Sequence, residues 1–206
     1  FATYNYTELP ESPEIAVVPG PPEIWQAAMP TLRRVGELFD LRIKGEDRWG
    51  NPSDQCNQVI ALRSSHPIEG LPETVTFAPG AFSVTIDDLK VGAEADVSIE
   101  LLDDAGKVLG TSNPIRIANA ADLLPYWGDL HGQSEETIGT NSARDFFAFA
   151  RDKAFLDVAS HQGNDFQITN EFWNHLNDLS REFNDDGSFI VFPGYEWSGN
   201  TGLGGD

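Results

Sequence analysis

Apolar and polar residues alternate along much of the first 120 residues, which is the pattern of strands that are buried on one face. In the clearest run, Phe39, Leu41 and Ile43 alternate with charged residues. The three strongest runs cover residues 39–44, 82–87 and 97–101. Turn-forming segments rich in Gly, Pro, Asn and Asp separate the runs about every ten residues. The pattern predicts an antiparallel β-sandwich over residues 37–119 that contains no catalytic group.

The periodicity changes after residue 119, where helical and strand patterns alternate. A helix is predicted over residues 142–154, capped by Asn141 or Ser142, and a second apolar stripe runs at helical spacing from Phe172 to Phe183. Short apolar runs predict strands over residues 124–130, 155–160 and 189–192. Strands that alternate with helices indicate βαβ units and a parallel sheet. The predicted domains are residues 1–36, an extended lead-in segment, residues 37–119, the sandwich, and residues 120–206, the α/β region.

Composition and charge narrow the classes of function. The 206 residues include 13 Lys and Arg against 33 Asp and Glu, a net charge of −20. Nucleic-acid phosphates and anionic membrane surfaces attract clustered basic residues, so neither is an expected partner. A hydrophobic content of 40% with 11% aromatic residues exceeds that of disordered acidic chains and indicates folded domains. The single cysteine, Cys56, cannot form an internal disulfide.

Two features of the chain bear on its location. No apolar run approaches the ~18 residues of a membrane span. The sequence begins at Phe1 rather than at a methionine, which indicates a processed chain. We expect a bacterial periplasmic or extracellular protein, and the sequence does not predict an oligomeric state.

Polar residues follow three of the predicted buried strands. His131, His161 and Glu196 each lie at or just beyond a strand end. Because ligands of α/β proteins gather at the carboxyl ends of parallel strands, these side chains are expected to converge. Imidazole nitrogen and carboxylate oxygen suit divalent zinc, manganese or iron, so the three residues are a predicted metal site. The candidates for contacts with metal-bound water or substrate are Asp129, Gln133, Glu136 and Asp165.

These motifs resemble those of a known superfamily. Residues 128–134, GDLHGQS, are similar to the opening motif of the PHP (polymerase and histidinol phosphatase) metal-dependent phosphoesterases. Ser160-His161 and Gly194-Tyr195-Glu196 follow in the order of that superfamily's Asp-His and Gly-x-Glu motifs. The longer segments 126–132 and 194–198 resemble most closely the PHP-related domain-of-unknown-function family 3604.

The resemblance implies a fold and a reaction. The expected fold class is α+β multidomain, with the β-sandwich followed by the first βα units of an incomplete PHP-like α/β barrel, truncated at residue 206. The implied activity is hydrolysis of a small-molecule or glycan phosphoester by a metal-bound hydroxide, on one to three divalent ions. By the resemblance His131, His161 and Glu196 are metal ligands, and no residue is assigned as the catalytic acid or base.

Two positions depart from the family pattern: Gln133 stands in place of a histidine and Ser160 in place of an aspartate. An amide oxygen is a poor ligand for a transition metal, so Gln133 is expected to hold a metal-bound water or a substrate oxygen instead. Two alternatives to a phosphoesterase therefore stay open. One is a degenerate, non-catalytic binding or scaffold protein, and the other is a metal-dependent hydrolase or lyase acting on another ester or a glycan.

Overall fold

The computed structural model describes residue 16 and residues 18–199. Within them, ten strands precede residue 119 and form a β-sandwich. The strands are β1 Ile24–Ala28, β2 Leu32–Arg34, β3 Phe39–Glu46, β4 Ile60–Ser64, β5 Thr74–Val75, β6 Ser83–Leu89, β7 Ala95–Val97, β8 Ile99–Leu102, β9 Val108–Thr111 and β10 Ile115–Ala118. They form three sheets, in the orders β1-β3-β6, β5-β4-β8-β9 and β2-β10-β7.

One hydrophobic core is shared by these three sheets. Phe39, Leu41 and Ile43 of β3 are buried, and the charged residues between them are partly exposed. The alternation in the sequence therefore selects the face of the strand that enters the core. Trp25 of β1 packs edge-on against Phe77, with 5.7 Å between the ring centroids.

Two details of the predicted sandwich are corrected. β2 pairs in parallel with β10, so the sandwich is not purely antiparallel. β1 and β2 fall inside residues 1–36, which the sequence predicts as an extended lead-in, yet β1 pairs with β3 over five residues and buries Trp25 and Ala27. A strand this short, preceded by a Pro-rich run, shows too little alternation to be found from the sequence. Residues 1–15 and 17 of the predicted lead-in lie outside the described residues.

Three strands and two helices alternate after residue 127, as the periodicity predicts. They are β11 Gly128–Gly132, α1 Ala143–Asp152, β12 Val158–His161, α2 Asn170–Phe183 and β13 Ile190–Pro193. The strands are parallel and lie in the order β11-β12-β13. The side chains of Ser142 and Thr169 cap α1 and α2 by accepting backbone N–H bonds in the first turns. Neither described helix has the length and apolar character needed to cross a bilayer.

The predicted α/β barrel is wrong. The described residues are 36% strand and 15% helix, with two α-helices, and their three parallel strands form an open sheet with no barrel evident among them. Periodicity specifies which local segments become strands and helices and that neighbouring strands run parallel. Closure of an α/β barrel depends on about eight strands meeting edge to edge, which no local pattern encodes. The barrel came only from the family resemblance.

Both helices pack on the same face of this sheet. Ala159 and Val191 lie opposite each other in register and are buried among apolar residues of α1 and α2. The next pair, Ser160 and Phe192, points to the other side because successive side chains alternate. No described helix covers that side, and Phe192 is 52% exposed. We call this side of the β11-β12-β13 sheet the open face.

The sandwich holds the segment that joins α1 to β12. Arg42 Nη1 of β3 donates to the carbonyls of Phe155 and Leu156, at 3.2 and 3.4 Å. It also lies 3.7 Å from Asp157 Oδ1. Further donors from the sandwich are Lys44 Nζ to the Lys153 carbonyl and Ser83 Oγ to the Asp152 carbonyl, each at 2.7 Å. We call these contacts the junction.

Candidate functional site

A bulge in β11 decides where its histidine lies. Asp129 pairs with Ala159, so regular pairing would place His131 opposite His161, but Gly132 occupies that position. One extra residue therefore lies in β11 between Asp129 and Gly132. His131 is exposed, and its backbone N–H donates to Asp129 Oδ1 at 2.8 Å. The Asp129 carboxylate thus contacts the bulged backbone.

The two predicted histidine ligands lie in different surroundings. His161 is 1% exposed and packs edge-on against Phe146 of α1 and Phe172 of α2, with centroid distances of 6.3 and 5.4 Å. Gly132 is needed beside it because a side chain at this position would collide with the Phe146 ring. His161 therefore lies on the helix-covered face of the sheet, whereas His131 is exposed to solvent.

Both nitrogens of the buried His161 ring have partners. The Gly163 N–H donates to Nδ1 at 3.2 Å, and Nε2 lies 2.8 Å from Ser134 Oγ. Since Nδ1 accepts, the neutral ring carries its proton on Nε2 and donates it to Ser134. Burial lowers the pKa of His161, against the opposing charge of Glu136, and so favours this neutral form. Ser134 thus accepts a hydrogen bond from His161. In a serine nucleophile that is activated by a histidine base, the serine hydroxyl donates to the imidazole instead.

The Glu136 carboxylate is anchored at the start of α1. It accepts the Ala143 backbone N–H, at 3.1 and 3.3 Å from its two oxygens. Burial raises the pKa of Glu136, but hydrogen bonding from the Ser134 hydroxyl and from backbone N–H groups outweighs burial and leaves the pKa below its ordinary value. The positive end of the helix dipole also favours an ionised carboxylate here. Glu136 therefore stabilises the loop before α1.

The side-chain amide of Gln133 is engaged at both ends. Its Nε2 donates to the Gln162 carbonyl at 2.8 Å, and its Oε1 accepts the Thr137 hydroxyl at 2.6 Å. Gln162 Nε2 in turn donates to Ser160 Oγ at 2.7 Å. The two positions that depart from the family pattern, Gln133 and Ser160, are thus joined through Gln162. The amide that is expected to hold a metal-bound water or a substrate oxygen thus already has one protein partner at each end.

The two acidic candidates beyond the strand ends, Glu196 and Asp165, pair through their backbones. The Glu196 N–H donates to the Gly163 carbonyl, and its own carbonyl accepts the Asp165 N–H, each at 2.9 Å. Asp165 Oδ1 accepts the N–H of Phe166 at 2.9 Å and begins the short 3₁₀ helix Asp165–Gln167. These two residues lie just past the carboxyl ends of β12 and β13.

The arrangement does not fit the expected metal centre. Among the described residues, no three His, Cys, Asp or Glu side chains lie close enough together to hold a metal ion. Binding through His161 would also require the loss of its bonds to Ser134 and Gly163. This overturns the expected metal-binding site of a PHP hydrolase in the described part of the chain. The ligand roles of His131, His161 and Glu196 stay predictions.

Three side chains that complete the hydrogen-bond network around His161 and Gln133 are not among the residues predicted from the sequence. They are Ser134, Thr137 and Gln162. A signal for the first two was present, because Ser and Thr three residues apart in a polar loop commonly bond to local backbone, as Thr137 Oγ1 does by accepting the Ser134 N–H at 3.4 Å. Gln162 directly follows His161 at a strand end, which is the position where side chains meet across neighbouring strands.

Comparisons with known proteins identify no family. No protein-family model matches the chain. It is 26% identical over 173 residues to an uncharacterized protein of Chlamydia pneumoniae and 25% identical over 164 residues to one of Chlamydia muridarum. The alignments cover 81% and 77% of this chain, but 27% and 26% of those proteins, so the chain spans about a quarter of the length of the curated relatives it matches.

Among the solved structures that are similar to this chain, two cover about half of it. The D00-D0 domain of Intimin is 14% identical with a TM-score of 0.34, and the match covers 50% of each chain. The PKD domain of an M14-like peptidase from a Thermoplasmatales archaeon is 16% identical with a TM-score of 0.29, over 49% of this chain and 99% of that domain. These likenesses are too weak to carry an argument. The PHP resemblance stays a prediction.

Proposed function

We propose that this chain acts as a non-catalytic binding module. The observation that carries the proposal is the closed hydrogen-bond network around His161, in which Ser134, Gly163 and Glu136 occupy the groups that a hydrolytic site would need free. A general base or a metal ligand requires an available lone pair directed at substrate or metal. The buried imidazole directs its remaining lone pair at a backbone N–H instead.

Exposed aromatic rings at the carboxyl edge of the sheet support a binding role. Phe166, Tyr195 and Trp197 are 63%, 47% and 71% exposed. Tyr195 is held edge-on by Trp173 of α2 at a centroid distance of 5.9 Å. Clustered exposed rings are typical of surfaces that contact a ligand or partner. A small molecule or a glycan suits such a surface, and a periplasmic or extracellular location suits this role.

The test is metal content and hydrolysis measured on the whole chain. The protein is incubated with zinc, manganese or ferrous ions, dialysed, and measured by elemental analysis, then assayed with a phosphomonoester and a phosphodiester. We expect less than stoichiometric metal and no turnover above the His161→Ala variant. His175 lies exposed on α2, so His175→Ala is the matched control. Stoichiometric metal that is lost in His161→Ala and kept in His175→Ala would contradict the proposal.

A further inference from the structure

A cleft of about 700 Å³ lies between the sandwich and α1. Its volume is within the roughly 300–1,000 Å³ of small-molecule sites, which often form between two packed units. The apolar walls are Phe82, next to β6, and Phe146 and Phe149 of α1. Phe149 is 48% exposed, so its ring is accessible from solvent. The cleft adjoins the network around His161, because Gln133 and Phe146 line one side of it.

The ammonium group of Lys153 lies inside this cleft, over two aromatic rings. Its Nζ is 3.7 Å from the centroid of Phe82 and 5.8 Å from that of Phe149. No carboxylate within ion-pairing distance of Lys153 is found in the described part of the chain. Cation–π contacts leave the outward N–H groups of an ammonium free to donate.

The two carboxylates of the cleft are already compensated. Asp152 is held by Arg151, whose Nε and Nη2 donate to its two oxygens at 2.7 and 3.0 Å. Asp145 accepts the hydroxyl of its cap residue Ser142 at 2.6 Å and lies in the first turn of α1, where the helix dipole offsets negative charge. Within the described residues, the Lys153 ammonium is therefore the charged group of the cleft that has no ion-pair or side-chain hydrogen-bond partner, and its contacts are with the two rings and with the carboxyl end of α1.

We propose that this cleft binds a small organic monocarboxylate, with the carboxylate on Lys153 and an apolar or aromatic body against Phe82 and Phe149. A charge-assisted hydrogen bond supplies the polar anchor, and the rings supply apolar contact area. A single negative charge is favoured over a phosphate dianion, because the net charge of −20 repels each added charge. This inference names a ligand class for the binding function proposed above, at a cleft distinct from the exposed rings at the carboxyl edge of the sheet.

The probes are 2-naphthoate and its neutral counterpart 2-naphthamide, which have the same two-ring body. Each is titrated into the ¹⁵N-labelled whole chain, and amide shifts are followed by NMR. We expect naphthoate to shift amides of residues 81–83 and 145–153 and to bind at least about tenfold more tightly than naphthamide, which is the effect of one charge-assisted bond. Equal affinities, or shifts confined to other residues, overturn the inference.

Substitutions test whether Lys153 binds the carboxylate of the ligand. Lys153→Met should weaken naphthoate binding about tenfold, to the level of naphthamide, while Lys153→Arg keeps it. Lys107, in the turn between β8 and β9, provides the control Lys107→Met, which should bind as the parent does. Phe149→Ala, a change at an exposed ring, should weaken both probes. Unchanged naphthoate binding by Lys153→Met overturns the inference.

The two proposals fail separately in these experiments. Binding of naphthoate at Phe192 or Tyr195, instead of in the cleft, overturns this inference and leaves a binding module. Stoichiometric metal with phosphoester turnover overturns the non-catalytic function, even where naphthoate still binds at Lys153.

Discussion

The sandwich and the α/β region bury their apolar residues in different ways. Among the described residues, the core of the sandwich contains sixteen buried apolar residues, contributed by three sheets and the loops that join their strands, whereas that of the α/β region contains nine, between two helices and one face of a sheet. The first core is covered by sheets on its sides, and the second is covered on one face only. Parallel sheets are usually covered on both faces. The difference indicates that the α/β region depends on its helices and on the junction for most of its order.

Removing a ring from the smaller core should have the largest effect. Phe147 of α1 is fully buried and packs against Phe183 of α2, so Phe147→Ala should lower the free energy of unfolding by about 3–5 kcal/mol. Urea denaturation measures the loss, and hydrogen exchange locates it in residues 128–193. Phe149→Ala on the same helix, at a 48% exposed position, should cost far less. Equal losses of unfolding free energy in the two variants would show that burial in the helix-covered core does not determine the stability of the α/β region.

Breaking the junction should have an intermediate effect. The Arg42 side chain is 17% exposed and donates to two backbone carbonyls. Hydrogen bonds to a charged group contribute about 1.5–3 kcal/mol, so Arg42→Ala should cost that amount and speed amide exchange in residues 153–158. Arg63→Ala removes an exposed pair with Glu100 and should cost at most about 1 kcal/mol. An unchanged exchange rate in Arg42→Ala would mean that the α/β region is ordered without the sandwich.

The helix cap should have the smallest effect. Ser142 accepts the Asp145 N–H, and Asp145 returns a bond to the cap backbone, so the two form a capping box. Ser142→Ala should lower the free energy of unfolding by about 1 kcal/mol, and Ser142→Asp should retain most of it. Thermal unfolding of the three proteins gives the comparison. A loss in Ser142→Asp as large as that in Ser142→Ala would assign the effect to packing rather than to the cap.

The sequence predicts elements better than it predicts their assembly. The alternation of Phe39, Leu41 and Ile43 and the helical stripe from Phe172 to Phe183 each report a buried face, so those elements form where expected. Pairing partners are not local, so the parallel pairing of β2 with β10 was missed. Barrel closure was inferred by analogy, and no periodic pattern tests it.

Prediction of the candidate site was limited for the same reason, because the contacts that decide its geometry join segments that are distant in the sequence. Spacing placed His131 and His161 at neighbouring strand ends, which is where the structure has them. The one-residue bulge that separates their surroundings depends on Gly132 fitting against Phe146, a contact between distant segments. Whether a histidine is free or hydrogen-bonded likewise depends on partners that are remote in sequence, such as Ser134 for His161.

The open face bears on whether copies of the protein associate in solution. Phe192 and Leu130 leave apolar surface exposed on a sheet whose edges, within the described residues, are β11 and β13, and such a surface is of the kind through which chains associate. A net charge of −20 keeps copies apart at low ionic strength, where the Debye length is about 10 Å at 0.1 M. At about 1 M salt the length falls to about 3 Å, and that repulsion no longer reaches a neighbouring molecule. The acidic surface therefore acts as a colloidal stabiliser whose strength is set by the surrounding electrolyte.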